Sequence, residues 1–447
     1  MTNTKKFRIS PSIQICLGFA ILILLGAFLL SLPISNQDGK WLNIVDALFT
    51  STSSVCITGL TTVKIGSQFT LFGKIIMLLL IEMGALGTIS LTSLILLILG
   101  KKINLSNRVA LKESLNKDTI QGVVKFIIKI VVITLIIQMC GTILLLYSTI
   151  TYYGNFWKGL FGAIFLSISA FCNSGVDPFD NTSLNSLGDF ASNITMLIPI
   201  AVLIIIGGIG FVVLTNGFKN FANKQHSKVV LITTASLIII GTLLFLIFES
   251  SNPDTIGHMS AGDKLLNSFF QSVTPRTAGF AVLDQSKMTG ASRILTMILM
   301  FIGGSPNSTA GGIKTTTLVI LILFMFKKQN NNGDIVLNNK KVSSKILFKA
   351  LKILIYVIFA ILISVIAIRI AEPEIICTEA ILFECISAIS TVGLTMGITT
   401  SLTTFSQLIL IALMYVGRVG LTTIILAISS KSEPCNIEYN NTDIIVG

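Results

Sequence analysis

Long and short apolar stretches alternate along the chain, in a pattern that occurs four times. A helix needs about 20 apolar residues to cross a bilayer. The long stretches therefore predict eight membrane-spanning helices. These are Ile13–Leu32, Ile75–Leu99, Phe126–Ser148, Ile194–Leu214, Val229–Phe248, Ile294–Phe326 with an interruption, Ile346–Ile368 and Leu408–Ile428.

The short apolar stretches lie between the first and second long stretch of each unit. They are Ile44–Ser54, Trp157–Ala170, Lys264–Val273 and Glu379–Ala388. Helices of this length do not cross a hydrocarbon layer of about 30 Å, so each must enter and return on the same side. Asp46 and Asp263 lie near two of the helix starts, where a negative charge interacts favourably with the positive end of the helix dipole.

A related sequence ends each short stretch: residues 53–60, 169–176, 273–280 and 388–394. Each has one glycine after small, hydroxyl-bearing or β-branched residues. The successive glycines, at 59, 175, 279 and 393, lie 116, 104 and 114 positions apart. A period this regular indicates a fourfold internal duplication.

The predicted fold is an all-α integral membrane protein of four tandem helix–pore helix–helix repeats. The repeats are residues 1–100, 101–228, 229–345 and 346–430, with re-entrant pore loops at 44–60, 157–176, 264–280 and 379–394. A cytoplasmic linker belongs to the second repeat, an intramembrane gating loop (303–313) to the third, and residues 431–447 form a cytoplasmic tail.

Four re-entrant loops in one chain suggest a ring around a single axis. Non-helical backbone at membrane depth needs protein or a watery cavity to receive its carbonyl groups. Carbonyl oxygens that replace the hydration shell of a cation make an ion filter, and glycine permits the φ values that turn them inward. The predicted filter residues are Ile57, Thr58, Gly59, Asn173, Ser174, Gly175, Thr277, Ala278, Gly279, Thr391, Val392 and Gly393.

A Gly-x-x-Gly pattern marks the second long helix in three units, at 84–87, 207–210 and 417–420. Close helix packing by small residues explains such a pattern. In the third unit it gives way to a polar run with proline, which breaks the helix and predicts a gate below the filter. The predicted gate residues are Gly303, Gly304, Ser305, Asn307, Ser308, Thr309, Gly311, Gly312 and Arg418.

Four charged residues lie at unusual depth. A charge in mid-span suggests a functional site. Arg418 either faces the cavity and leans against the gating loop or forms a structural pair with Glu82. Arg276 is expected to point away from the axis and pair with an acid behind the filter. Lys314 is expected to extend toward the cytoplasm.

Composition agrees with a membrane protein: 52% of residues are apolar and 12% are charged, and the mean hydropathy is +0.86. The net charge of +12 comes largely from Lys and Arg on one side of the predicted spans. The positive-inside rule makes that side, with both termini, cytoplasmic, so the excess indicates topology and lipid contact rather than nucleic acid. Acids on the other side are either ordinary solvated loops or a vestibule that concentrates cations.

The sequence carries no clear signal for a cleavable leader, a metal site, catalysis or nucleotide binding. No cleavable signal sequence is evident. The seven cysteines show no metal-ligand spacing, and Cys56 and Cys172 are read as packing residues. The two histidines support no catalytic constellation, and no nucleotide-binding loop is present. We expect neither an enzyme nor a chain that binds a cofactor itself.

The combination of these motifs resembles the Trk/Ktr/HKT superfamily of potassium transporters, and most closely its Ktr-type membrane subunit. The features that carry the resemblance are the four glycine segments, the run Thr274–Phe280, the interrupted 303–312 segment before Lys314, and Arg418 between Gly417 and Val419. It implies pseudo-fourfold symmetry around one K⁺ path, glycine filters that prefer K⁺, and a gate at the interrupted loop and Arg418.

The same resemblance implies the setting of the protein. That setting is the plasma membrane, a homodimer, and a cytoplasmic ring of nucleotide-binding regulatory subunits. K⁺ is then the transported ion and Na⁺ a possible activator. Eight spans favour the Ktr type over a Trk-like subunit coupled to H⁺.

An alternating-access carrier is a further alternative, but carriers favour inverted repeats. All four units here begin on the cytoplasmic side, so the repeats are parallel.

Overall fold

The computed structural model describes residues 11–87, 123–179, 186–216, 225–326, 335–337, 340–420 and 423–424. These residues are helical apart from loops and one antiparallel hairpin of β1 (Ile335–Leu337) and β2 (Lys340–Val342). The helices are α1 (Pro11–Ser31), α2 (Ile44–Cys56), α3 (Ile65–Gln68), α4 (Leu71–Leu86), α5 (Val123–Tyr153), α6 (Phe156–Cys172), α7 (Ile194–Ile209), α8 (Phe211–Asn216), α9 (Gln225–Glu249), α10 (Ala261–Val273), α11 (Gly290–Phe301), α12 (Thr315–Phe326), α13 (Ser344–Ala371), α14 (Thr378–Ser390) and α15 (Thr404–Val419).

The first helix of each unit is long and unbroken. α1, α5, α9 and α13 contain apolar segments of 20, 30, 24 and 26 residues, long enough to cross a membrane. Their surfaces are apolar as well: Leu24 is 62% exposed, Ile143 69% and Ile363 64%. Such faces are expected on helices covered by lipid, which fits the predicted multi-pass membrane protein.

The short helices α2, α6, α10 and α14 lie where the sequence predicts them. Asn43, Asn155 and Ser260 begin three of them by accepting hydrogen bonds from backbone N–H groups in the first turn. In α2 nearly every side chain from Ala47 onward is buried, including Thr50, Ser51 and Ser53. Hydroxyl-bearing side chains are therefore buried beside apolar ones in α2.

The prediction of unbroken second helices was wrong in three units. α4 ends before Gly87 (φ +81°), α7 before Gly210 (φ +100°) and α15 before Gly420 (φ +89°). A right-handed helix does not continue through a residue with such a φ, and glycine adopts it without a steric penalty. In the third unit the helix is interrupted between α11 and α12, as predicted.

The four units contact one another in a closed order. Side-chain bonds at the junctions join Gln138 Nε2 to Glu82 Oε2 (2.9 Å), Asn267 Nδ2 to the Ala191 carbonyl (2.8 Å), Arg293 Nε to Glu379 Oε1 (2.8 Å) and Tyr415 OH to the Cys16 carbonyl (2.8 Å). The first and the fourth unit are thus neighbours, although they stand at opposite ends of the chain.

The same capping contact begins α11 and α15. Thr289 donates its backbone N–H and its hydroxyl to Glu249 Oε1, each at 2.8 Å. Thr403 donates the same two groups to Glu372 Oε1, at 2.8 and 2.7 Å. Burial raises the pKa of Glu372, but hydrogen bonds from Ser406 and Thr403 and the charge of Arg369 outweigh it and leave that pKa below its ordinary value.

Parts of the predicted organisation lie outside the described residues. They include the connection at 101–122, the segment 217–224, most of the linker after Phe326 and the tail at 431–447. The boundaries of the four repeats remain a prediction.

Candidate functional site

The residue two places before each repeated glycine has a left-handed backbone. Ile57, Asn173 and Thr391 directly follow α2, α6 and α14, with φ of 58°, 60° and 52°. In the third unit Thr277 has φ 69°. Left-handed residues commonly end helices, but β-branched ones are strained there. Ile57, Thr277 and Thr391 therefore hold this conformation because their buried surroundings enforce it.

The four repeated glycines also have positive φ: 92° at Gly59, 68° at Gly175, 78° at Gly279 and 96° at Gly393. Each lies against the next unit. A Cβ atom added to Gly59 would lie 2.5 Å from the Ser174 carbonyl oxygen. Added Cβ atoms on the other three would overlap the carbonyl oxygens of Ala278, Val392 and Thr58 in turn. The four glycines thus form a closed ring, which we call the glycine ring.

The other predicted filter residues line the same place. Ile57, Thr58, Asn173, Ser174, Thr277, Ala278, Thr391 and Val392 are all at most 1% exposed. The hydroxyls of Thr58, Ser174 and Thr391 are buried without a hydrogen-bond partner among the described residues. The structure therefore brings the four glycines together with Thr58, Ser174, Ala278 and Val392. The other four predicted residues are buried next to these in the chain.

One hydroxyl near the end of each short helix forms a hydrogen bond with the backbone that follows the helix. Ser53 and Ser387 accept from the backbone N–H of Gly59 (3.0 Å) and Gly393 (3.1 Å). In the other two units the hydroxyl donates instead to a carbonyl one residue beyond the glycine. These pairs are Ser169 with Val176 and Thr274 with Phe280, both at 2.6 Å. We call these four residues the anchoring hydroxyls.

The two glycines of the Gly-x-x-Gly pattern have different structural roles. Its first glycine packs against the end of the short helix in the same unit, Gly84 on Val55, Gly207 on Phe171 and Gly417 on Ile389. Its second glycine is the helix break described above. The packing interpretation is correct for the first position and incomplete for the second.

We expect Gly417→Ala to destabilise the protein by about 2 kcal/mol or more, since overpacking costs this much. The new Cβ would overlap the Ile389 carbonyl oxygen and lie 2.8 Å from its carbon, and backbone atoms do not move aside easily. Thermal unfolding in detergent measures the loss. Gly290→Ala is the control, because its Cβ meets nothing within 4 Å; equal melting temperatures for both variants would contradict the packing argument.

The predicted gating loop lies against the second and fourth units. Ser305 donates its backbone N–H to the Gly208 carbonyl at 3.0 Å, and the Asn307 carbonyl accepts from the N–H of Phe211 at 2.8 Å. A Cβ on Gly311 would overlap the Thr391 hydroxyl. The loop thus touches one residue of the glycine-ring segments directly.

The other predicted gate residues lie within this loop. Gly303 packs against Gly311, and Gly304 accepts from the N–H of Thr315 at 3.0 Å. Ser308 donates to Ser305, and Thr309 lies 3.4 Å from the Phe171 carbonyl. Asn307 and Gly312 have positive φ of 58° and 65°. These turns let the chain leave α11 and return to α12 within a few residues.

Arg418 joins this loop to the first unit. Its guanidinium donates to the Thr309 carbonyl and, at 2.6 Å, to the Gly84 carbonyl. The alternative pairing with Glu82 is wrong, because Glu82 accepts from Gln138 at 2.9 Å and from the Cys172 thiol at 3.3 Å. Arg418 therefore bridges two helix-breaking regions through backbone carbonyls.

Two other predictions for basic residues need correction. Lys314 does not extend away from the loop: its Nζ donates to the Ala310 carbonyl at 2.5 Å and to that of Gly311 at 3.3 Å. Arg276 is buried and donates to the Thr234 hydroxyl on α9 at 3.2 Å. No acid pairs with Arg276 among the described residues, and its Nε has no partner there. A hydroxyl oxygen thus takes the place of the carboxylate expected for Arg276.

The fold and the site define a multi-pass helical membrane protein in which four buried backbone turns meet at one place. The sequence profile of the TrkH family, described as cation transport protein, matches residues 17–438. The chain therefore belongs to the TrkH family of cation transport proteins, which confirms the resemblance. This is a family of transporters rather than enzymes.

Two curated relatives match over their whole length. The chain is 38% identical over 455 residues to the potassium/sodium uptake protein NtpJ of Enterococcus hirae (100% of this chain, 99% of the relative). It is also 38% identical over 447 residues to the Ktr system potassium uptake protein B of Bacillus subtilis (99% and 98%). The crystal structure of the potassium transporter TrkH from Vibrio parahaemolyticus has the same fold, with a TM-score of 0.72 at 17% identity over 96% of this chain and 86% of that one.

Proposed function

We propose that this chain is the ion-translocating subunit of a Ktr-type K⁺ uptake system. The observation that carries the proposal is the glycine ring, in which four turns from four units meet with positive φ. The full-length relatives named as potassium uptake proteins support K⁺ as the cargo. K⁺ is substrate here, and the chain needs no resident cofactor.

The four units are proposed to surround one pore with pseudo-fourfold symmetry. Carbonyl oxygens of the twelve filter residues replace the water around K⁺. The short helices end next to the ring, so the negative ends of their dipoles add to the attraction for a cation. Flux is channel-like, and the membrane potential drives it with about 2.3 kcal/mol per charge per 100 mV.

The gate is proposed to be the 303–313 loop together with Arg418. A guanidinium in the path of a cation raises the barrier to its passage. Arg418 also tethers the loop through the Thr309 carbonyl, so loss of that tether would let the loop move. The contact of Gly311 with Thr391 gives the loop a direct route to the filter.

The relatives named as Ktr system proteins support a partnership with other components, and the rest of the transporter's setting is proposed from the resemblance of the sequence motifs. It comprises a homodimer in the plasma membrane, with both termini in the cytoplasm. A cytoplasmic ring of nucleotide-binding regulatory subunits controls the gate, and Na⁺ acts as an activator. Membrane lipid covers the exposed apolar faces of the long helices.

Proteoliposomes separate the proposed mechanism from an H⁺-coupled one. The purified chain is reconstituted with and without a Ktr regulatory subunit, and K⁺ uptake is followed under an imposed inside-negative potential. We expect uptake that follows the potential and is unchanged when the pH gradient is varied at fixed potential. Growth of a bacterium without its own K⁺ uptake systems at low K⁺ gives the cellular readout. Failure of both would refute K⁺ transport.

A further inference from the structure

A carboxyl group lies buried behind the glycine ring in the fourth unit. Glu384, in the middle of α14, is 0% exposed. Its Oε1 accepts from the hydroxyl of Thr395 and, at 3.2 Å, from that of Thr399. Thr395 is two residues beyond Gly393 in the chain. Glu384 therefore connects the short helix to the segment that leaves the ring.

The third unit has a neutral contact at the same positions. Gln271 and Glu384 each stand three residues before an anchoring hydroxyl, Thr274 and Ser387. Gln271 Nε2 donates to Gln285 Oε1 at 2.9 Å, and Gln285 is six residues beyond its ring glycine, as Thr399 is. Two units thus brace the segment after the ring in the same way, one with amides and one with a carboxyl group.

A buried carboxyl group at this position is energetically unfavourable. No basic side chain pairs with Glu384 among the described residues, and its Oε2 is buried with no hydrogen-bond partner. A buried acceptor without a partner destabilises a protein by about 1–3 kcal/mol. An amide satisfies the same role in the third unit, so packing alone does not require the acid. Glu372 also has an unpartnered buried Oε2, but it caps the backbone N–H at the start of a helix and lies near the charge of Arg369. Glu384 caps no helix and has no such charge beside it among the described residues, so a functional reason accounts for it better than a structural one.

We propose that Glu384 is a positioning residue that sets K⁺ affinity and selectivity through Thr395 and Thr399. Its carboxyl group fixes the outer end of the fourth filter segment against α14. The two threonine hydroxyls lie 2.9 Å apart, and the Thr395 hydroxyl also accepts the N–H of Gly397. One carboxyl oxygen thus orders residues 395–399. This inference rests on the proposed function of the glycine ring.

The test compares Glu384→Leu and Glu384→Gln with the wild type by measuring K⁺ uptake in cells. Glu384→Leu removes the hydrogen bonds from both Thr395 and Thr399. We expect it to raise KM for K⁺ about tenfold or more, since each hydrogen bond to a charged group contributes about that much, and to lower the K⁺/Na⁺ ratio. Vmax per inserted protein should stay within about twofold, because the gate is untouched. Glu384→Gln keeps an acceptor oxygen, so its KM for K⁺ should lie between those of the wild type and Glu384→Leu.

Three further variants make the test specific. Thr399→Val should reproduce the KM shift of Glu384→Gln without altering the acid, and Thr399→Ser should restore wild-type values. Glu372→Gln is the matched control, since it removes a buried acid that also accepts from a threonine but only begins α15. We expect it to lower thermal stability and leave KM and the ion ratio unchanged.

The inference is overturned if Glu384→Leu and Thr399→Val reach normal abundance with wild-type KM and ion ratio. It is equally overturned if Glu372→Gln shifts KM as much as they do. Failure of the proposed function looks different, because the wild type itself would then take up no K⁺.

Discussion

Replacing Gly59 with serine should reduce the K⁺/Na⁺ uptake ratio by about tenfold or more, a loss of about 1.4 kcal/mol of discrimination. Gly59 has φ +92°, which a residue with a side chain rarely adopts. The added Cβ would lie 2.5 Å from the Ser174 carbonyl oxygen and 3.4 Å from the Cα of Gly393. The ring must open at this point to accept it, so carbonyls on both sides move.

Paired K⁺ and Na⁺ uptake at equal membrane abundance measures this effect. Gly39→Ser is the control, because Gly39 also has positive φ (+64°) but its Cβ would meet nothing within 4 Å. That variant carries the backbone strain without the collision. Unchanged selectivity in Gly59→Ser would be strong evidence against a filter at the glycine ring.

Replacing Arg418 with alanine should raise K⁺ flux in the absence of the regulatory subunit by about tenfold or more, while the K⁺/Na⁺ ratio stays near the wild-type value. Two unit charges 4 Å apart interact by about 4 kcal/mol at the effective dielectric of a protein surface, so even a more distant charge is a sizeable barrier. The substitution also frees the Thr309 and Gly84 carbonyls that the guanidinium holds.

Arg418→Lys separates the charge from the tether. Lysine keeps the positive charge but has a single ammonium group in place of the planar fork, so it should restore part of the barrier without bridging both carbonyls. Flux into proteoliposomes at fixed potential measures both variants. A wild-type flux in Arg418→Ala, with the protein folded, would remove Arg418 from the gate.

Local residue patterns predicted much of the site. The short helices α2 and α6 lie within two residues of the predicted bounds at both ends, because the ends of apolar runs are local signals. The break between α11 and α12 was predicted from proline and glycine in an apolar stretch. The breaks at Gly87, Gly210 and Gly420 were not, because a glycine in a helical pattern is compatible with helix or break until its neighbours are known.

Partners of charged groups were the least predictable part. The sequence suggested acids for Arg276 and offered Glu82 for Arg418, since opposite charges pair in apolar surroundings. The structure supplies a hydroxyl and backbone carbonyls instead. Carbonyls released by broken helices are acceptors that no sequence pattern displays. Glu384 was overlooked for a similar reason: its partners follow the filter in the chain and return to α14 only in the fold.

The sequence by itself determined that the chain has helices long and apolar enough to cross a membrane. It also determined that a short helix followed by one glycine occurs four times. Hydrophobic length and periodicity are properties of a segment and its solvent, so they can be read locally. Only the tertiary structure decided that Gly59, Gly175, Gly279 and Gly393 touch in sequence and close on themselves. That closure depends on contacts between residues more than a hundred positions apart, where a side chain on any of the four would collide with its neighbour.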